Sequence, residues 1–256
     1  MLVGITKLFG ELDQRDMETM QNARADALYA TIDHPPMIKD TIYLIYEWLK
    51  KKDEFLDVLY EKIEPIYNLG YRYFELHHKP NVSGGGYTWA WQNGKQFARW
   101  FCVISEELRN TFPEIKVGYP SLSYGPDIGG IQVGCDKFLF ESREAIDASD
   151  FISVLVHWKS RGLDTEIFDA IHYLAYVRYM FDKDVVAVYY NNNNNVQKAV
   201  KGQQYLMFLD YTKNIDGVIG AFGHTLSSPS KNDMWITWRS RNSESSIPEI
   251  IASREW

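Results

Sequence analysis

YRYFELHHKPNVSGGGYTWAWQNGKQFARWFCVISEELRNTFPEIKVGYPSLS, residues 71–123, carries one full period of a repeating unit. It opens on YRYFELH (71–77), rich in aromatic residues, and closes on KVGYPSLS (116–123), a second short run of the kind that forms strands buried on both faces. Between them Phe97, Phe101, Ile104, Leu108 and Phe112 recur at steps of 4, 3, 4 and 4, the period of one helix face. Asn93 with Gln96 three residues on supplies a variant of the capping box, and Pro113 ends the helix. The segment therefore predicts strand, Gly-rich loop, helix, strand.

The same unit recurs on either side. Strand-like runs fall at 2–8, 27–33, 41–48, 151–158, 185–190 and 217–226, making eight in all. Helical spacing links Phe55, Leu59, Ile63 and Ile66, with Pro65 predicting a kink or early end and Gly70 a C-cap. Phe168, Ile171, Leu174, Val177 and Phe181 predict another helix behind an Asp164-Thr165 start, and 196–213 and 137–147 two more. Residues 9–26 are polar and partly helical in composition, and 34–40 leave no room for a full helix. The tail after Leu226 reads as irregular with a turn or two of helix. Eight strands separated by helical crossovers predict an α/β fold, a single (β/α)8 TIM barrel over residues 1–256, shortened in its first half. A doubly wound open sheet is the competing architecture, but no Gly-rich phosphate turn follows the first strand. The asparagine run 191–195 is expected as a loop between a strand and a helix.

Composition narrows the function. The chain has 256 residues, 45% of them hydrophobic and 24% charged, the balance of a globular protein. With 27 Lys+Arg against 34 Asp+Glu the net charge is −7, so the basic footprint of a nucleic-acid binder is missing. No apolar run reaches a membrane span. MLVGITKLFG is too short, and too interrupted by Lys7, for a secretory core, so cytoplasmic synthesis without a signal peptide is expected. Cys102 and Cys135 cannot by themselves make a disulfide framework or a zinc site, and read as reduced thiols. Aromatic residues reach 15%, which serves either a heavily packed core or a ligand surface such as a sugar cleft, because flat rings stack on apolar faces.

In a barrel of this kind, function sits at the C-terminal ends of the strands. The runs place Asp33, His34, Glu47, Glu75, His77, His78, Lys79, Ser121, Ser123, His157, Trp158, Tyr189, Tyr190 and His224 there. Glu75 reads as a buried carboxylate bonded to its neighbours or, alternatively, as a catalytic one. His77 and His78 are adjacent on a strand and point to opposite faces, which argues against a joint metal site, and no metal is expected. Trp91 and Trp158 serve as sugar platforms or as rim packing. Asn81-Val82-Ser83 has the form of a glycosylation acceptor that an unexported chain does not use.

A strand ending in two polar residues and Pro80, then a Gly-rich loop with Trp89 and Trp91, resembles the fourth strand of clan A retaining glycoside hydrolases. The resemblance covers about residues 55–256 and is strongest to bacterial and phage-encoded members. In that clan the strand ends Asn-Glu-Pro, with Glu as acid/base and Asn binding the sugar hydroxyl beside the reacting carbon. Here the matching residues are His78-Lys79-Pro80. The seventh strand, VVAVYYNNNNN, sets Tyr189 at the nucleophile position, or Tyr190 if the register shifts by one. Retaining hydrolysis needs two carboxylates about 5–5.5 Å apart, and the resemblance implies that both have been replaced, Lys79 and Tyr189 marking the former positions.

Three readings follow. The first is a catalytically degenerate barrel that binds a glycan or serves as a protein-interaction scaffold, its old cleft formed by His77, His78, Asn81, Trp91, His157, Trp158, Tyr189 and Tyr190. The second is an active glycosidase or other hydrolase using relocated carboxylates, Glu75 and Glu47. The third is a structural subunit of a virion or surface assembly, with protein partners. None of them implies a cofactor.

Overall fold

The computed structural model describes residues 1–7, 12–33, 38–45, 52–159, 166–227, 237–238 and 246–256. His34 and Glu47, and the Asp164-Thr165 helix start, lie outside these. Eight parallel strands in the order β1 to β8 close into a barrel, alternating with helices. The strands are β1 (Leu2–Lys7), β2 (Ala27–Thr31), β3 (Asp40–Ile45), β4 (Tyr73–Leu76), β5 (Lys116–Tyr119), β6 (Phe151–Trp158), β7 (Val185–Asn192) and β8 (Val218–Gly223). Each starts within two residues of an apolar run read from the sequence. The open-sheet alternative is excluded by the parallel pairing of β1 with β8, Val3 opposite Ala221.

The helices are α1 (Gln14–Asn22), α2 (Lys52–Asn68), α3 (Gly94–Thr111), α4 (Cys135–Glu141), α5 (Arg143–Ala148), α6 (Glu166–Phe181), α7 (Lys198–Thr212) and α8 (Ile247–Ala252). Helix α3 starts as its sequence predicts: Asn93 accepts a hydrogen bond from the Gln96 backbone N–H at 3.0 Å, a cap of about 1 kcal/mol. Its Phe97, Phe101, Ile104 and Leu108 are all buried. Helix α1 has a full capping box in which Asp13 and Asp16 each accept from the other's backbone N–H.

Three expectations need correction. Of the two outcomes expected at Pro65, the early end is excluded: α2 runs on to Asn68 before Gly70, at φ +99°, turns the chain. The helix expected over 137–147 is two helices, broken at Ser142. There the Ser142 hydroxyl donates to the Phe138 carbonyl at 2.6 Å and meets the Tyr119 hydroxyl at 2.6 Å, so the serine bonds to the preceding turn and to β5. Strand β7 runs two residues into the asparagine run, because Asn191 and Asn192 find buried side-chain partners there.

Close contacts gather the chain into two compact units, Thr31–Leu155, and Met1–Ala30 with Val156–Trp256. In the first, Phe97 is the hub of an aromatic cluster with Trp91, Trp100, Phe101, Tyr119 and Phe138, ring centroids 4.9–5.9 Å apart. In the second, Trp158 and Tyr190 both pack on Phe208 of α7, at 5.6 and 5.1 Å. Among the described residues no helix is long and apolar enough to cross a membrane. Both cysteines are free thiols.

Candidate functional site

The C-terminal end of β4 is built by a departure from strand geometry. His77 has φ +79° and Lys79 φ +46°, left-handed conformations that are uncommon for non-glycine residues. The twist ends the in–out alternation expected of a continuing strand. The His77 ring turns onto Trp91 and Trp100, at 5.5 and 5.9 Å, and its Nε2–H donates to the Gly85 carbonyl at 3.0 Å. Only 4% of His77 is exposed, and burial pulls its pKa down to about 4, so it is neutral at pH 7. Its place is in the packing under the loop.

Lys79 is half-buried. Its backbone N–H donates to the Ser121 carbonyl at 2.9 Å, and desolvation lowers its ammonium pKa from the ordinary value. His78, also half-buried, brings Nδ1 within 3.4 Å of the Ser121 hydroxyl. Glu75 is wholly buried, and Oε1 accepts from the Ser121 backbone N–H at 3.2 Å. Ser121 therefore gathers Glu75, His78 and Lys79 into one polar cluster at the ends of β4 and β5. The sequence marked all four residues but not the hinge that joins them.

The Gly-rich loop explains why Gly is required beside this cluster. A Cβ on Gly85 would lie 1.9 Å from the Lys79 carbonyl oxygen, so the loop can cross the strand end only without a side chain. Gly86 adopts φ +102°, and its carbonyl accepts from the Trp89, Ala90 and Trp91 N–H groups. Trp91 is 2% exposed and donates Nε1–H to the Pro80 carbonyl at 2.7 Å, which makes it the floor of the loop. Trp89, by contrast, is 50% exposed, and its Nε1–H is fixed on the Ser83 carbonyl at 2.8 Å. Asn81 is wholly buried. It donates to the Ser123 and Val133 carbonyls at 2.8 and 3.0 Å and accepts from the Ser123 N–H at 2.8 Å, so its amide ties two loops together.

Inside β7, Tyr189 has φ +57° at a register shift between Val188 and Tyr190. Its ring lies edge-on to Tyr29 and His224, both at 5.4 Å, and is 4% exposed. Tyr190 turns the other way onto Tyr205 and Phe208 of α7 and is fully buried. Trp158 is buried on the same helix and donates Nε1–H to Gln204 Oε1 at 3.2 Å, while its neighbour His157 is exposed. Gln204 Oε1 also accepts from Asn192 Nδ2 at 2.7 Å, and Asn191 Oδ1 accepts from the Tyr205 hydroxyl at 2.5 Å. Lys201, fully buried, donates Nζ–H to the Asn192 carbonyl at 2.7 Å. Burial, then the nearby Lys198 charge, pulls its pKa down to about 7.

Loops after β4 and β5 leave an open polar cleft of about 230 Å³ between them. Tyr87, Gln92, Asp127, Gln132, Lys137 and Glu141 line it. Sequence reading singled out none of them, because polar residues scattered over two loops and a short helix have no periodicity to mark them.

No family model matches the chain, and no curated protein matches it. Solved structures do resemble it in fold. A GH128 subgroup II endo-beta-1,3-glucanase from Sorangium cellulosum superposes with TM-score 0.78 at 13% identity, covering 99% of this chain and 98% of that one. A GH128 subgroup I endo-beta-1,3-glucanase from Amycolatopsis mediterranei, solved in complex with laminarihexaose, gives 0.69 at 13% identity, with 98% of each chain covered. A hyperthermostable endo-1,4-beta-D-mannanase from Thermotoga petrophila gives 0.57 at 12% identity over the same shares. What the chain shares with these proteins is the fold, a barrel of eight parallel strands alternating with helices.

Proposed function

We propose that this protein is a glycan-binding barrel that holds a β-1,3-glucan without hydrolysing it. The reading is carried by two residues, Lys79 just beyond β4 and Tyr189 inside β7, onto which the resemblance read from the sequence maps the clan's two glutamates. A lysine charge there would oppose a developing oxocarbenium ion, and the Tyr189 ring is buried. Support for a glycan comes from the fold, shared over nearly the full length with two β-1,3-glucanases. Of the expected cleft residues, His78, Lys79 and His157 are the ones with exposure to contact a ligand.

Hydrolysis through Glu75 with Glu47 is the second reading, and the buried carboxylate of Glu75 at the end of β4 favours it. One assay separates the two. The proposal predicts no release of sugar from laminarihexaose or aryl β-glucosides above the buffer rate. Turnover that is lost in Glu75→Gln, with the fold intact by circular dichroism, would establish the hydrolase instead.

A further inference from the structure

The open cleft between the β4–α3 and β5–α4 loops is not among the positions that the clan resemblance marks. Both loops leave strand C-termini, on the face where barrels of this type bind their ligands. Its walls are fixed before any ligand arrives. Asp127 Oδ1 accepts from the Gly134 N–H at 2.7 Å, Oδ2 pairs with Lys137 Nζ at 3.2 Å, and Glu141 accepts from the Gly94 N–H at 3.0 Å. Gln92 is held through its side-chain amide, which donates to the Thr88 carbonyl at 2.8 Å, and through its backbone N–H, which donates to Gln96 at 2.8 Å. Gln132 is fixed through its backbone, which exchanges hydrogen bonds with Ile128 at 2.8 Å, while its side-chain Nε2 makes a 3.4 Å contact with the Pro126 carbonyl, the long limit of a hydrogen bond. Such preset donors and acceptors lower the ordering cost of binding.

The charges select the ligand class. One cation, Lys137, faces two carboxylates, Asp127 and Glu141, so the lining is net negative and its ammonium is already engaged. A phosphate or a uronate would meet repulsion. Amides, a phenol and carboxylates are the groups that bind the hydroxyls of a neutral sugar. The volume, about 230 Å³, lies below the roughly 300–1,000 Å³ of drug-sized pockets and suits a single ring.

A second observation points the same way. The two loops that make the cleft also display large apolar side chains in water: Trp89 on one, and Tyr124, Ile128 and Ile131 on the other. Trp89 and Ile131 are joined through Ser83, which accepts from the Trp89 indole at 2.8 Å and donates its N–H to the Ile131 carbonyl at 2.8 Å. An exposed indole held in one orientation is a platform for the apolar face of a pyranose.

We propose that this cleft is a binding subsite for one neutral pyranose ring of a glycan, with Trp89 stacking on an adjoining ring. The proposal rests on the glycan-binding reading and locates it. Its test is calorimetric titration of the full chain with laminarihexaose and, separately, with an oligogalacturonate of equal length. Wild type is expected to bind the neutral glucan and not the anionic chain. Trp89→Ala and Gln132→Ala are expected to weaken that binding at least tenfold, with Gln92→Ala, at an exposed position, replacing the second variant if it does not fold. Laminarihexaose bound equally by wild type and variants would overturn the subsite while leaving the glycan-binding reading in place. Absence of binding by wild type would overturn both, and preferential binding of oligogalacturonate would overturn the assignment of a neutral ligand.

Discussion

Just beyond β4 and inside β7 the chain departs from strand geometry with non-glycine residues at positive φ, yet the two regions finish in opposite states. At β4 the turn at His77 and Lys79 sends the chain into a Gly-rich loop, beside which Lys79 and His78 remain half-exposed and a polar cleft stays open. At β7 the turn at Tyr189 leads into asparagines whose side chains are taken up by Gln204, Tyr205 and one another. The first region uses its polar groups, Asn81 above all, to tie two loops together beside an open cleft. The second spends them on closing itself. Positive φ at non-glycine residues thus says nothing about function until the partners of the side chains are known.

The comparison can be broken first at Asn81. Asn81→Ala would leave the Ser123 N–H and the Ser123 and Val133 carbonyls without their amide partner, and is expected to cost about 4 kcal/mol in urea unfolding. A loss under 1 kcal/mol would mean that the loops around the cleft do not depend on that bridge.

Next comes the acid limb. His77 has a folded pKa of about 4 against 6.5 unfolded, so the unfolded chain binds the extra proton between those values. Its contribution is fully present above pH 6.5 and is lost as pH falls to 4. Relative to His77→Gln, wild type is expected to lose about 3 kcal/mol over that window, measured as the difference between two denaturant series. Parallel pH curves for the two proteins would show that the imidazole is not buried as a neutral group.

At the β7 end, Tyr205→Phe removes the hydroxyl that donates to Asn191 at 2.5 Å, and is expected to cost about 1.5 kcal/mol. Coupling with Asn191→Ala in a double-mutant cycle should be close to that value. Additive losses would mean the asparagine is held by something else. The smallest effect is expected for Trp89→Ala, whose half-exposed ring should change stability by less than about 0.5 kcal/mol. Trp91→Ala, two residues on and buried, should cost roughly 3–5 kcal/mol. Equal losses for the two tryptophans would erase the distinction between the open face of the loop and its floor.

Much of the barrel was legible because its signals are local. Runs of β-branched and aromatic residues place the strands, and the 4-3-4-4 spacing from Phe97 to Phe112 places α3 with its Asn93 cap. The site was legible only as a list. Residue type marked Glu75, His78, Lys79 and Ser121, and the structure joins them. The sequence left Trp91 and Trp158 open between platform and packing. Burial depends on which ring the loop leaves uncovered, and Gly86 and Pro80 decide that for Trp91. The asparagine run looked like solvent-facing loop because its composition is polar; the burial of its first two residues, Asn191 and Asn192, depends on Gln204 and Tyr205 of the following helix. The cleft-lining residues became visible only once two loops, some forty residues apart in sequence, had been brought together.

One sample tests the central claim directly. The protein is incubated with laminarihexaose while tryptophan fluorescence follows occupancy, and the same solution is chromatographed for shorter sugars. Saturable binding with the hexasaccharide recovered intact is the predicted result. Shortened products that appear with wild type and vanish with Glu75→Gln would contradict it.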